Sequence, residues 1–260
     1  MSTTPARLIT ITFSHYCEKA RWALDHTRVP YVEEGHLPGF HLRPARRAGG
    51  RSVPVLVTGE KTLTESDTIV AYCDALAAHD RKLYPRDASA RREVEAIEAI
   101  CNGELGLASR LFVYHHALPN PRALAETARP GLTKWQAWLM PHLLPIVGMR
   151  IRRMYRIEED TAVKAAETMR RRFAELSAQL EGKRFFVGDA FTAADLAFAS
   201  LTAPILCPEG HPATTGSVAH VEGPLRAMIE ELRATRAGKH AQTMYRDHRR
   251  LRTETSHKKA

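Results

Sequence analysis

Leu8-Ile9-Thr10-Ile11-Thr12-Phe13, then Ser14-His15-Tyr16-Cys17, then Glu18-Lys19-Ala20-Arg21-Trp22-Ala23-Leu24-Asp25 is the stretch from which the fold follows. Its first part is a β-like run, predicting a strand over residues 8–13. Its last part has helical period and predicts a helix from 15 to about 27. The turn between them sits where the helix dipole and free backbone N–H groups favour a bound anion, and a thiolate is one such anion. Ser14 has two readings. As an N-cap it accepts a hydrogen bond from the N–H of Tyr16 or Cys17. As a functional group its hydroxyl donates to a bound sulfur and favours the thiolate, the nucleophilic form. Cys17 lies a turn inside the helix with no second thiol at position 14, so it reads as a buried packing residue.

From this stretch outward the chain has two grammars. Up to residue 82 short strands alternate with helices. A second strand is expected near 31–34 and an irregular connection over 35–52, rich in Gly and Pro. Two strands follow within 53–63, then a helix from 67 to about 78. Residues 83–90 read as a linker. Beyond it the period is helical, over about 89–118, 121–156, 159–181 and onward from 193, with one short strand-like run, Phe185-Phe186-Val187. The domains expected are therefore 1–82, a small mixed sheet with helices, and 91–240, an all-helical domain. Thr192-Ala193-Ala194-Asp195 fits a capping box, with Phe191 positioned to staple onto Leu196.

Bulk composition removes several function classes. The net charge is +9, but residues 246–260 hold six Lys/Arg against two acids and supply about +4 of it. Residues 241–260 read as a basic, disordered tail, and a nucleic-acid partner is not expected. The four cysteines form no Cys-x-x-Cys and no His-Glu-x-x-His occurs, so neither a disulfide framework nor a metal site is expected. Residues 1–7 carry no leader pattern, and the apolar stretch 193–206 is too short to span a bilayer. A soluble cytoplasmic chain without a membrane partner is the expectation.

Two later motifs join Ser14. Val53-Pro54 places proline inside a strand-like run, where it is confined to edges or special positions. A cis bond there is one option, and would expose Val53 backbone groups to a peptide-like ligand. Glu65-Ser66 opens a helix. Ser66 reads either as its N-cap or, with Glu65, as a receptor for an α-amino acid headgroup, Glu65 taking the ammonium and Ser66 with the helix N–H groups the carboxylate.

The combination Ser14-x-x-Cys17-x-Lys19-x-Arg21, Val53-Pro54-Val55-Leu56, Glu65-Ser66-x-x-Ile69 and Phe191-Thr192-Ala193-Ala194-Asp195 resembles the cytosolic glutathione transferases, from about residue 8 to 206. The resemblance implies an α/β thioredoxin-like N-terminal domain followed by an all-α helical bundle. It implies a cis Val53–Pro54 bond with Val53 pairing to the cysteinyl unit of glutathione, Glu65 and Ser66 on the γ-glutamyl headgroup, and Ser14 near the sulfur. Arg51 or His41 is expected on the glycyl carboxylate. Glutathione would be the co-substrate, a small electrophile the second substrate, and the enzyme a homodimer in detoxification. No catalytic tyrosine lies in 8–13, and serine in place of cysteine at position 14 disfavours the thiol-reductase branch. A non-catalytic binding protein, or a glutathione-dependent reductase or dehalogenase, remains an alternative on the same scaffold. Tyr114, His115, His116, Trp135, Trp138 and Met140 are left unassigned, because aromatic residues at helical spacing are more often core.

Overall fold

The computed structural model describes residues 5–214, 216–219 and 221–249, which divide after Tyr84 into two units. In the first, the strand predicted over 8–13 appears as β1, Ala6–Ile11. It pairs in parallel with β2, Tyr31–His36, and antiparallel with β3, Val55–Val57. The short β4, Thr62–Leu63, completes the order β2-β1-β3-β4.

Helices α1, His15–Thr27, and α2, Leu42–Arg47, cover opposite faces of β1. Ile9 packs with Ala45 of α2 and Val55 of β3. The next residue, Thr10, donates to Glu33, which binds Arg21 of α1. Leu8, Ile9 and Thr10 are consequently all buried, as expected for a central strand covered on both sides. Helix α3, Ser66–Leu76, packs on α1. Its Asp74 accepts from the N–H groups of Leu83 (2.6 Å) and Tyr84 (3.1 Å), tying down the end of the unit.

Among its described residues the second unit contains helices and connecting turns but no strand. Asp87 caps α4, Ala88–Ile100, and a π-helical turn at Cys101–Leu105 leads into α5, Gly106–Ala117. Then come α6, Pro121–Ala128, and α7, Lys134–Tyr155, separated by a turn at Arg129–Gly131. The remaining helices are α8, Glu159–Gln179; α9, Ala193–Leu206; α10, Gly223–Ala234; and α11, Arg236–His248. Helix α9 is the core element. Thirteen of its fourteen residues are buried, and α4, α5, α10 and α11 pack on it. Where α10 meets α11 only glycine fits, since a Cβ on Gly238 would lie 2.0 Å from the Leu232 carbonyl oxygen.

Four expectations are corrected. The connection 35–52 contains α2, because Pro44 lies in the first turn, where proline costs no hydrogen bond. The expected helix over 121–156 is two, ended and restarted around Pro130-Gly131, with Thr133 and Gln136 forming a capping box. Phe185-Phe186-Val187 is no strand; the Phe186 N–H donates to Asp195 Oδ1 (3.1 Å) and all three side chains are buried. The tail expected from 241 is helical through His248, with Ala237, Ala241, Met244 and Tyr245 buried at helical spacing. Residues 250–260 of that expectation lie outside the described residues.

Asp195 holds α9 in place. Its carboxylate accepts from the Thr192 N–H (2.9 Å) and hydroxyl (2.9 Å) as well as from Phe186, and His240 Nε2 of α11 lies 2.9 Å from Oδ1. Asp195→Ala is expected to lower stability by roughly 3 kcal/mol, because it strands buried donors. Urea unfolding measures this, and a loss below about 1 kcal/mol would contradict the assignment.

Candidate functional site

The sheet register brings the motif residues to one end. β1 runs toward Ile11, and Ile9 pairs with Val55, so the start of β3 lies beside the end of β1. β4 runs antiparallel to β3, with Leu56 opposite Leu63, so the chain leaves β4 toward that same end and enters α3 there. β2 is parallel to β1 and also ends there, at His36. Ser14, Val53-Pro54 and Glu65-Ser66 therefore share one sheet end, with the N-termini of α1 and α3. His41 and Arg51, from the connection between β2 and β3, flank them in sequence.

Ser14 occupies the N-cap position of α1 with an extended backbone (φ −75°, ψ 128°), and its side chain makes no capping hydrogen bond. The expected cap to Tyr16 or Cys17 N–H is thus not formed. The backbone holds the residue on both sides: its N–H donates to the Ile11 carbonyl (2.9 Å), and its carbonyl accepts from Glu18 (2.8 Å). The hydroxyl instead meets the Cys17 thiol. That thiol is fully buried, and burial pushes its pKa up to about 11, outweighing the opposing effects of the Ser14 hydroxyl and the Arg21 charge.

Arg21, one helical turn further on, anchors the turn. Its guanidinium donates to both carboxylate oxygens of Glu33 (3.0 and 2.7 Å), to Glu18, and to the Thr12 carbonyl (3.1 Å). Burial alone would lower its pKa, but Glu33 and Glu18 prevail and hold it well above the ordinary range. The contact to Thr12 pins the loop just before Ser14. Arg21 was visible in the sequence only as part of a motif. Its partner Glu33 had no sequence signal beyond being an acid in a strand.

The Val53–Pro54 bond is cis. Val53 packs against the Ile9–Ala45–Val55 cluster and lies outside the β1–β3 ladder, which begins at Val55. Glu65, not Ser66, holds the N-cap position of α3, and its side chain makes no capping bond. Glu65 is exposed, while Ser66 is the buried first helical residue. Arg51 is exposed in the bend before Val53. His41 Nδ1 accepts from the Gly39 N–H (3.2 Å), and burial lowers its pKa, favouring the neutral ring.

Residues 8–81 match the family model described as glutathione S-transferase, N-terminal domain, and residues 135–210 the one described as glutathione S-transferase, C-terminal domain. The chain belongs to the glutathione S-transferase family. Among solved structures it is similar to poplar glutathione transferase F1, with 16% identity, 94% of this chain and 100% of that one covered, and a TM-score of 0.54. A glutathione S-transferase of Methylobacterium radiotolerans, in complex with glutathione sulfonate, gives 19%, 92% and 94%, and 0.52. The beta-etherase LigF of a Sphingobium strain gives 15%, 92% and 98%, and 0.58. At such identities the likeness is one of fold. No curated protein sequence matches the chain.

In this glutathione S-transferase fold the first unit is the thioredoxin-like sheet domain and the second the all-α domain. In the second, of the residues left unassigned, Met140 is buried, whereas Trp135 and Trp138 are exposed. Burial raises the Tyr114 pKa and lowers that of His116, while His115 Nε2 faces Glu159 (3.1 Å). Among the described residues no group of His, Cys, Asp and Glu is placed to hold a metal ion, and no helix is long and apolar enough to cross a membrane.

Burial also raises the Cys73 pKa to about 12 and that of Cys207 to about 11. At pH 8 a thiol of pKa 11 is ionised in about one molecule in a thousand. The native chain is therefore expected to leave Cys17 and Cys73 unmodified by iodoacetamide at pH 8, as peptide mass spectrometry would read. Rapid alkylation of Cys17 would contradict its inert, protonated state.

Proposed function

We propose that the chain is a serine-type glutathione transferase that binds glutathione at the shared sheet end and stabilises its thiolate for attack on a small electrophile. The observation that carries this reading is the convergence of Ser14, Val53-Pro54 and Glu65-Ser66 on one end of a four-stranded sheet beside two helix N-termini. Each group meets a different part of one tripeptide. The Val53 backbone, outside the ladder, pairs with the cysteinyl unit. Glu65 takes the γ-glutamyl ammonium, and Ser66 with the first N–H groups of α3 takes the carboxylate. Arg51 is the better partner for the glycyl carboxylate, because His41 is held in a local turn and favours its neutral form.

Chemistry rests on the Ser14 hydroxyl, which has one proton to donate. Burial keeps the Cys17 thiol protonated, with a pKa of about 11, so it does not compete as a thiolate for the Ser14 hydroxyl proton, which turns to the glutathione sulfur when the ligand binds. The bound thiol loses its proton to solvent. The thiolate then forms a carbon–sulfur bond with the electrophile, whose leaving group departs with its electron pair. Each unit by which the thiol pKa falls corresponds to about 1.4 kcal/mol of preferential thiolate stabilisation. Fold-sharing transferases, one of them crystallised with glutathione sulfonate, support the ligand class. The family resemblance supports a cytoplasmic, detoxifying homodimer.

Ser14→Ala is expected to raise the pKa of bound glutathione, followed by thiolate absorbance, with its affinity nearly unchanged. A loss of affinity without a change in pKa would contradict the role at sulfur. Glu65→Ala is expected to weaken glutathione binding by roughly 1.5–3 kcal/mol by calorimetry, the scale of a charged hydrogen bond. Unaltered affinity would remove Glu65 from the site.

A further inference from the structure

Helix α7 packs on α5 and α6 and buries Met140, Leu144 and Gly148 along its inner side. Its outer side is apolar as well. Trp135 (51% exposed), Trp138 (71%), Ile146 (60%) and Met149 (71%) stand in solvent there. At 100° per residue these four fall within about 80° of one another and run about 21 Å along the helix. Single exposed apolar residues are ordinary on a protein surface; a continuous stripe of them marks a contact. Cations bracket the stripe at both ends. Exposed Lys134 precedes it, exposed Arg150, Arg153 and Arg156 close it, and no acidic residue occurs from 133 to 157. The acids next in sequence are Glu126, paired with Arg129 (3.2 Å), Glu159, set against His115 Nε2 (3.1 Å), and Glu158 and Asp160 at the start of α8.

We propose that this face of α7 docks on an anionic phospholipid surface, the helix lying flat among the headgroups. Indole rings are amphipathic and settle at headgroup level, which suits Trp135 and Trp138. Ile146 and Met149 reach the boundary of the acyl chains, while Lys134 and the three arginines meet lipid phosphates beyond the stripe. A protein partner would have to place acids at both ends of a strip about 33 Å long, with apolar side chains between them in register. A lipid surface offers phosphate at every position and needs no register. The inner side of α7 belongs to the protein core, so the helix lies on the membrane and does not span it, and no helix among the described residues is long and apolar enough to cross. The sequence expectation of no membrane partner rested on the lack of a leader and of a spanning stretch, and a helix lying flat requires neither.

The proposal does not depend on the ligand at the sheet end. Its test is co-sedimentation of the full chain with vesicles of phosphatidylglycerol or of phosphatidylcholine, with tryptophan emission followed in brominated phosphatidylglycerol. Trp22 is fully buried, so quenching reads Trp135 and Trp138. Partition is expected to be at least tenfold stronger into phosphatidylglycerol, to fall with added salt, and to quench the emission. The double variant Trp138→Ala, Met149→Ala is expected to lower partition at least tenfold, and Lys134→Gln with Arg153→Gln at least threefold. Arg43→Gln with Arg46→Gln, exposed positions on α2, is the control and is expected to change it less than twofold. Binding that survives Trp138→Ala, Met149→Ala, or that leaves the tryptophans unquenched, would assign the contact to other cations, such as those of 246–260, and overturn the proposal. No binding to either vesicle, with the α7 variants instead weakening association between copies of the chain, would overturn it equally.

Discussion

The Arg21 guanidinium, buried among Glu33, Glu18 and the Thr12 carbonyl, is the constraint from which the first unit takes its shape. Such a group is costly to take from water and is tolerated only when its donors are matched. Here they reach α1 itself, the strand β2 and the loop leaving β1. One side chain therefore fixes the helix against the sheet and sets the turn that carries Ser14. Removing it would take the matching charge from two buried carboxylates, a far larger penalty than losing any surface ion pair. The positive charge also acts on the turn above it, where it opposes the effect of burial on Cys17 without overcoming it.

That rigid turn explains the division of labour between Ser14 and Cys17. A thiol buried in apolar surroundings stays protonated, so Cys17 has no nucleophilic part in the proposed chemistry. Ser14 is freed from capping because its backbone is held by Ile11 and Glu18 and its hydroxyl is not needed to close the helix end. The site is assembled by topology: antiparallel pairing on one side of β1 and parallel pairing on the other bring four chain segments to the same sheet end.

Much of this was legible in the residues. The strand–turn–helix around Ser14 and the cap at Thr192–Asp195 rest on local patterns, and local patterns survive folding when their apolar face is also the buried one. The failures have specific physical origins. Helix α2 was hidden because Pro44 breaks a helix only beyond its first turn. Helix α11 was hidden because its buried face is built mostly from Ala237, Gly238, His240 and Ala241, which carry little hydropathy. The Phe185–Val187 run had strand composition, but the carboxylate of Asp195 takes the Phe186 N–H that a strand would have paired. Glu33 could not be assigned to Arg21 from sequence, since the pairing exists only once β2 lies beside β1 and α1 packs over both.

The central claim is that the sheet end binds glutathione as its thiolate. Calorimetric titration of the unaltered chain at pH 7.5, in buffers of different ionisation enthalpy, tests it most directly. An ordinary cysteine thiol, of pKa about 8.5, is mostly protonated there, so a site that lowers the pKa must release protons on binding. The account predicts a binding heat that varies with the buffer for glutathione and does not for S-methylglutathione. Binding without proton release, or no binding of either ligand, would contradict it.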